Sequence, residues 1–246
     1  VLKKNRSDIA IVDIVSGFLN SGEIALSHDI MKNIRAKGSE SVEIEPTEAP
    51  KSSRILQRAI KCKPYSKQEL KKIMADIVSD NLTEAEIAYF ISGIYHCGMS
   101  LDETKYLTEA IVETGNKINW RQNKIADKHS IGGIAGNRTT PIVVAICTAA
   151  GAIMPKTSSR AITSAAGTAD TIETLAKVDL SIKEMKSIVS KTGACLAWGG
   201  SLGLAPADDR IIQVEKILNL DPEPQLLASI LSKKIAVGST HVLIDI

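Results

Sequence analysis

Two segments of this chain gather residues that hold anions. Residues 127–141 read D-K-H-S-I-G-G-I-A-G-N-R-T-T-P, and residues 155–171 read P-K-T-S-S-R-A-I-T-S-A-A-G-T-A-D-T. In the first, Gly132 and Gly133 allow positive φ and close backbone approach to a ligand. Exposed amides in such a turn, followed by a helix N-terminus, make an anion concavity. Lys128 supplies a point charge, and the hydroxyls of Ser130 and Thr139 supply donors. The pattern is neither a P-loop nor a G-x-G-x-x-G fingerprint. A tight strand-to-helix turn is the alternative reading.

The second segment carries Thr157, Ser158, Ser159, Thr163, Ser164 and Thr168 around Arg160. Hydroxyls at this density beside one guanidinium suit a phosphate oxygen cage. A solvated Ser/Thr loop whose hydroxyls bond their own backbone is the alternative. Each segment follows a short apolar stretch that reads as a strand, and ligands in α/β sheets bind outside the carboxyl ends of strands. A third segment, Asp221 to Lys234, would complete such a site.

The elements that must position these residues divide the chain. Pro46 to Ser53 holds two prolines and small polar residues and reads as a linker. Before it, Ile9 to Val15 is rich in Ile and Val with Asp13 interrupting it, Ser27 caps a short helix over 28–36, and Ser41 to Glu45 alternates as a half-buried strand. Residues 1–45 are thus expected to be the tail of a small strand-containing domain. Residues 54–116 are expected to form a helical domain. There Ser66 with Glu69, Thr83 with Glu86 and Ser100 with Glu103 form three capping boxes, and Leu70, Ile73, Ile77 and Val78 line the first apolar stripe. Residues 117–246 are expected to form a larger, incomplete α/β domain. It would have strands at 124–126, 152–154, 195–198 and 241–246, the last one buried. Its helices would cover 140–150, 168–175, 181–192, 207–214 and 224–236.

Composition sets limits. With 246 residues, 44% hydrophobic and 24% charged, the chain can bury a core. A net charge of +2 gives no case for bulk nucleic-acid binding. The longest apolar run, 141–155, is too short to span a bilayer. No signal peptide is evident at the first residues, so a cytoplasmic location is expected. The four cysteines, Cys62, Cys97, Cys147 and Cys195, have no C-x-x-C spacing and are expected to be unpaired in a reducing compartment. The four histidines are scattered, so no metal site is expected. The chain begins at Val1 and ends on an apolar L-I-D-I run, which reads as part of a longer protein.

D-K-H-S-x-G-G, then S-S-R-A-I-T-S-A-A-G-T-A-D-T, then L-A-P-A-D and A-S-I-L-S-K-K, in that order, resemble the thymidine/pyrimidine-nucleoside phosphorylase family. The match is closest to its archaeal AMP phosphorylase branch and covers about residues 54–246. The resemblance implies a helical domain plus an α/β domain, and phosphorolysis of AMP to adenine and ribose 1,5-bisphosphate. It places phosphate on Lys128, Ser130, Thr139 and Ser158. It places the nucleotide on Gly133, Ser159, Arg160, Ala161, Ile162, Thr163, Ser164, Thr168 and Ser229, with Lys233 in the base-contact segment. Asp221 matches the branch's proton donor, which needs a raised pKa from burial or from a like charge such as Glu223. Inorganic phosphate is a co-substrate and no cofactor is implied; self-association as a homodimer or higher oligomer is.

Two departures bear on the substrate. Pyrimidine members carry His-Thr-Gly-Gly-Thr where this chain has Ser164-Ala165-Ala166-Gly167-Thr168, and an Arg near positions 215 and 216, where it has Glu215 and Lys216. Both favour the nucleotide branch and leave AMP, CMP and UMP open. A pyrimidine nucleoside phosphorylase, a related phosphoribosyltransferase of the anthranilate type and a phosphate-binding module without turnover are the competing readings. The phosphoribosyltransferase would need an acidic metal–pyrophosphate motif, which is not clear in the sequence.

Overall fold

The computed structural model of the chain describes residues 1–3, 5–130, 139–161 and 166–245. The first fifty residues form little regular structure. Strands β1 (Leu2–Lys3) and β2 (Arg6–Ser7) pair antiparallel. Helix α1 (His28–Asn33) starts at Ser27, whose Oγ accepts from the Ile30 amide, as its sequence predicts. The expected half-buried strand at 41–45 is reduced to one bridge, Glu43 to Leu2. Ile44 is half exposed.

Helix α2 (Lys51–Leu56) overlaps the end of the expected linker. It is held there because Leu56 enters the core and buried Ser52 donates to Asp76 Oδ2 at 2.5 Å. Helices α3 (Lys67–Val78), α4 (Glu84–Cys97) and α5 (Leu101–Thr114) follow, each opened by its capping box. Leu70, Ile73, Met74 and Ile77 of α3 pack on Phe90, Ile91, Leu107 and Ile111. Val78, expected in that stripe, is 36% exposed at the last turn, and Met74 takes the buried place.

The α/β part runs β3 (Ala126–Ser130), α6 (Thr139–Ala149), β4 (Met154–Ser158), α7 (Thr168–Glu173), α8 (Ile182–Thr192) and β5 (Ala194–Trp198). Then come α9 (Pro206–Leu218), α10 (Glu223–Ala236) and β6 (His241–Asp245). β3 pairs parallel with β6, from Ala126↔His241 to Ser130↔Asp245. β4 pairs parallel with β5, from Met154↔Ala194 to Ser158↔Trp198. A parallel bridge from Ile125 to Ile153 joins the two pairs. The spatial order is therefore β6-β3-β4-β5, with all four carboxyl ends on one edge.

Helices α9 and α10 tie the two parts together. Ala207, Ile211, Val214 and Ala228 lie in the same core as the helical bundle, while Ala236 and Val237 lie in the core under the sheet.

Several expectations need correction. The first two sheet strands start later than the sequence suggested and run on through Ser130 and Ser158, because β6 and β5 pair with their backbones. Lys128, Ser130 and Ser158 therefore stand on strands, not in loops. β6 is exposed rather than buried, with Leu243 at 65% exposure, because it is the edge strand of the described sheet. Cys62 and Cys97 are not free thiols but a disulfide, with Cα atoms 5.2 Å apart. The bond joins the 3-10 turn at Ala59–Lys61 to the end of α4, a spatial pairing that sequence spacing does not report. Cys147 and Cys195 are free. Among the described residues no helix is long and apolar enough to cross a membrane.

Candidate active site

The alternation of a strand puts residues i and i+2 on one face. On β3 this aligns Lys128 with Ser130, and their Nζ and Oγ are hydrogen-bonded. The register places Asp245 of β6 beside Ser130. Lys128 Nζ lies 2.9 Å from Asp245 Oδ2, and Ser130 Oγ donates to the same oxygen at 2.9 Å. These two donors hold the Asp245 carboxyl below its ordinary range. Thr139 opens α6 close by in sequence, and Ser158 ends β4. Gly133, expected at the nucleotide, lies outside the described residues.

Beneath this corner is a dense charge cluster. Asp127 is 3% exposed, and its Oδ2 takes Lys234 Nζ at 2.9 Å and Ser239 Oγ at 3.1 Å. Its Oδ1 accepts from the Lys128 amide at 2.7 Å and lies 3.9 Å from Lys156 Nζ. Lys128, Lys156 and Lys234 are all buried. Burial, then the Lys234 charge, lower Lys156 to about 7. Burial and the charges of Lys234 and Lys156 push His129 down to about 3, so its ring is neutral at physiological pH.

The second segment is organised by Asp170. Its carboxylate accepts from the amides of Ala161 and Gly167, at 2.7 and 2.8 Å. Gly167 is required there, since a Cβ would fall 2.6 Å from the Ser159 carbonyl oxygen. Thr168 is the first residue of α7. The expected anion-binding Arg160 is turned onto protein carboxylates, with Glu173 at 2.8 Å and Asp170 at 3.1 Å, and it stacks over the Trp198 ring at 4.7 Å. The Ala161 carbonyl accepts from Lys216 Nζ at 3.0 Å, which pins α9 to this loop. Ile162, Thr163 and Ser164 lie outside the described residues.

Ser229 and Lys233 converge on Asp208, a side chain with no exposed surface. Lys233 Nζ stands 2.6 Å from Oδ2, Ser229 Oγ donates to it at 2.8 Å, and Gln225 Nε2 donates to Oδ1 at 3.0 Å. Asp221 is exposed in the turn before α10. The carboxyl that is raised nearby is Glu215, pushed up to about 8 by burial and by the charges of Asp208 and Asp221. Its Oε1 is buried and makes no hydrogen bond among the described residues, and neither does Gln225 Oε1.

Sequence reasoning assigned no role to Asp127, Lys156, Asp170, Asp208, Glu215 or Lys234. Asp127, Asp170, Asp208 and Lys234 do fall inside the four motifs that carried the resemblance. Glu215 stands out in the sequence only as a departure from the Arg of pyrimidine members; its raised carboxyl is revealed by its neighbours. Cys62, His96 and Cys97 place three ligand-type atoms within 4.8 Å, but the two sulfurs are bonded to each other and offer no thiolate. A cavity of about 330 Å³ beside this disulfide and one of about 520 Å³ at the amino end of β3 both lie away from the strand carboxyl ends.

Comparison with known proteins agrees with this architecture. Residues 53–115 match a model described as the helical bundle domain of a glycosyl transferase family, and residues 122–221 match the a/b domain of that family. The chain belongs to this glycosyl transferase family. It is 47% identical to an AMP phosphorylase of Thermococcus sibiricus, over 95% of this chain and 46% of the relative. It is 43% identical to an AMP phosphorylase of Natronomonas pharaonis, over 98% of this chain and 47% of the relative. A Ralstonia nicotianae protein provisionally named a thymidine phosphorylase is 47% identical, over 98% and 48%. The chain thus spans about half the length of the curated relatives it matches. Anthranilate phosphoribosyltransferase from Thermus thermophilus shares the fold, with a TM-score of 0.64 at 16% identity over 77% of this chain and 57% of that one.

Proposed function

We propose that this chain carries the phosphate- and nucleotide-binding part of a pentosyltransferase that phosphorolyses nucleoside 5′-monophosphates, AMP in the first place. One observation supports this most. Consecutive residues of α10 serve two separate polar clusters, Lys233 at Asp208 and Lys234 at Asp127. A phosphorolysis site needs two such ends, one for the nucleophile and one for the leaving base.

In this reading Lys128, Ser130, Thr139 and Ser158 hold inorganic phosphate beneath the anomeric carbon. Bound phosphate stabilises the positive charge that develops on the ribose as the glycosidic C–N bond breaks. A phosphate oxygen then bonds to the anomeric carbon and gives the 1-phosphate. The hydroxyls of Ser159, Thr163, Ser164 and Thr168 hold the 5′-phosphate, and Ser229 and Lys233 face the base. The departing base takes a proton on a ring nitrogen at the acidic pair of Asp221 and Glu215, of which Glu215, raised to about 8, is the carboxyl that stays protonated near neutral pH. Residues 54–116 and 117–246 act as the helical and α/β domains of that enzyme. The absence of the second-loop His and of the Arg near positions 215 and 216 that pyrimidine members carry favours a nucleotide over thymidine.

The test is base release from AMP, CMP, UMP, adenosine and thymidine, with and without phosphate, with the Thermococcus sibiricus relative run in parallel. Phosphate-dependent adenine release from AMP alone is the expected result. Thymine release from thymidine would replace this reading with the nucleoside one. Silence under conditions where the relative turns over would overturn it for this chain.

A further inference from the structure

Two ammonium groups compete for one buried carboxylate next to the candidate phosphate site. Lys156 and Lys234 are each 4% exposed and both face Asp127, which is 3% exposed. Asp127 favours Lys234 at 2.9 Å over Lys156 at 3.9 Å. Lys156 also donates to the Thr157 carbonyl, and the Lys234 charge disfavours its ammonium form. Lys128, also buried, is a third cation there, with Asp245 as its partner. Among the described residues the charged groups that act on Lys156 are Asp127 and Lys128 on β3 and Lys234 on α10, and His129 adds no charge. With every lysine charged, the buried part of the cluster carries more positive than negative charge, and a buried charge must be paired.

We infer that Lys156 is a proton-accepting member of the anion site, which becomes charged when an oxyanion occupies the carboxyl ends of β3 and β4. Lys156 stands two residues before Ser158 on β4, as Lys128 stands two before Ser130 on β3. An anion held by Ser130 and Ser158 therefore lies beyond both lysines along the strands. Its charge supplies the missing counter-ion, so binding draws a proton from solvent onto the Lys156 amine. Affinity and protonation are then linked: above the free-site value of about 7, oxyanion affinity falls by up to tenfold per pH unit. The ligand class is a tetrahedral oxyanion.

This inference rests on the phosphate-site reading above, and the test separates the two. Titration calorimetry on the full chain would use inorganic phosphate, and sulfate as the probe that carries no titrating proton. Runs at about pH 8.5 in two buffers of different ionisation enthalpy count the protons exchanged. The expected result is uptake of close to one proton with sulfate as well as phosphate. Lys156→Met should bind more weakly, with no uptake and no pH dependence. Anion binding with buffer-independent heats in the wild type would overturn the inference and leave the phosphate site standing. No binding of either anion would overturn the site itself. The wild-type measurement decides the matter even if Lys156→Met fails to fold.

Discussion

The Lys233 ammonium lies 2.6 Å from the carboxylate of Asp208, a side chain with no exposed surface. The pair is asymmetric, because Lys233 keeps 23% of its side chain in solvent. Removing the lysine leaves a buried carboxylate with only Ser229 and Gln225 as partners, whereas removing the acid frees a lysine that can reach water. Breaking a buried pair from its buried side's point of view costs about 3 kcal/mol or more. Lys233→Met is therefore expected to lose about 3 kcal/mol in urea denaturation, and Asp208→Asn clearly less. Equal losses for the two variants would show that Asp208 is not the dependent partner.

Glu215 sets a pH dependence whose sign can be worked out. Its carboxyl is raised from 4.5 to about 8 by burial first, then by Asp208 and Asp221. Between those values the folded chain binds more protons than the unfolded chain, so stability falls as pH rises through the window. Glu215→Gln keeps the shape without the charge. It should flatten the melting temperature across that window and leave the variant more stable than the wild type above about pH 8. In the proposed reaction Asp221→Asn should lower turnover by ~10²–10⁴ while nucleotide binding persists. Equal loss of binding would make Asp221 a binding residue.

Helix positions were legible in the sequence because their caps are local chemistry. Ser66, Thr83, Ser100 and Ser181 each accept from the amide three residues on, and each Glu closes its box, as the pattern predicts. Strand starts were less legible, because Lys128 and Lys156 become strand residues only through partners far along the chain. The ordered motifs brought out Lys128, Ser130, Ser229 and Lys233, which the fold gathers into two clusters. The carboxylates that hold those clusters, Asp127 and Asp208, were not assigned, since a buried charge is recognised by its surroundings. Arg160 reads as an anion ligand until Asp170, Glu173 and Asp179 are seen around it.

The disulfide gives a stability prediction independent of function. Cys62 and Cys97 are separated by 35 residues. Closing a loop of that length restricts the unfolded chain and contributes about 3–4 kcal/mol. Adding a reductant, or substituting Cys62→Ser, should lower the denaturation midpoint by the matching amount. An unchanged midpoint under reductant would show that the bond adds nothing to the helical bundle.

Gly115 meets the Leu204 carbonyl where the end of α5 lies against the segment before α9. A Cβ at that position would fall 2.1 Å from the Leu204 oxygen. The neighbouring Asn116 fixes the same contact, its amide donating to the Gly203 carbonyl at 2.8 Å and its Nδ2 to the Leu202 carbonyl at 3.0 Å. The backbone there cannot move without breaking these bonds. Gly115→Ala should therefore cost about 3 kcal/mol, as overpacking in a rigid core does. A melting temperature within a degree or two of the wild type would show that the segment yields.

Lys128 offers the sharpest test of the nucleophile end. It is 3% exposed, and its Nζ joins Ser130 and Asp245 at the carboxyl edge of the sheet. Lys128→Ala removes the cation that holds the Asp245 carboxyl below its ordinary range, so that carboxyl should titrate at higher pH, which carboxyl NMR can follow. The carboxylate would then stand beside Ser130 without its counter-charge and repel an incoming oxyanion. Phosphate binding and phosphate-dependent turnover should both be lost. A variant that shows the Asp245 shift but still binds phosphate normally would keep Lys128 as a partner of Asp245 and remove it from the nucleophile site.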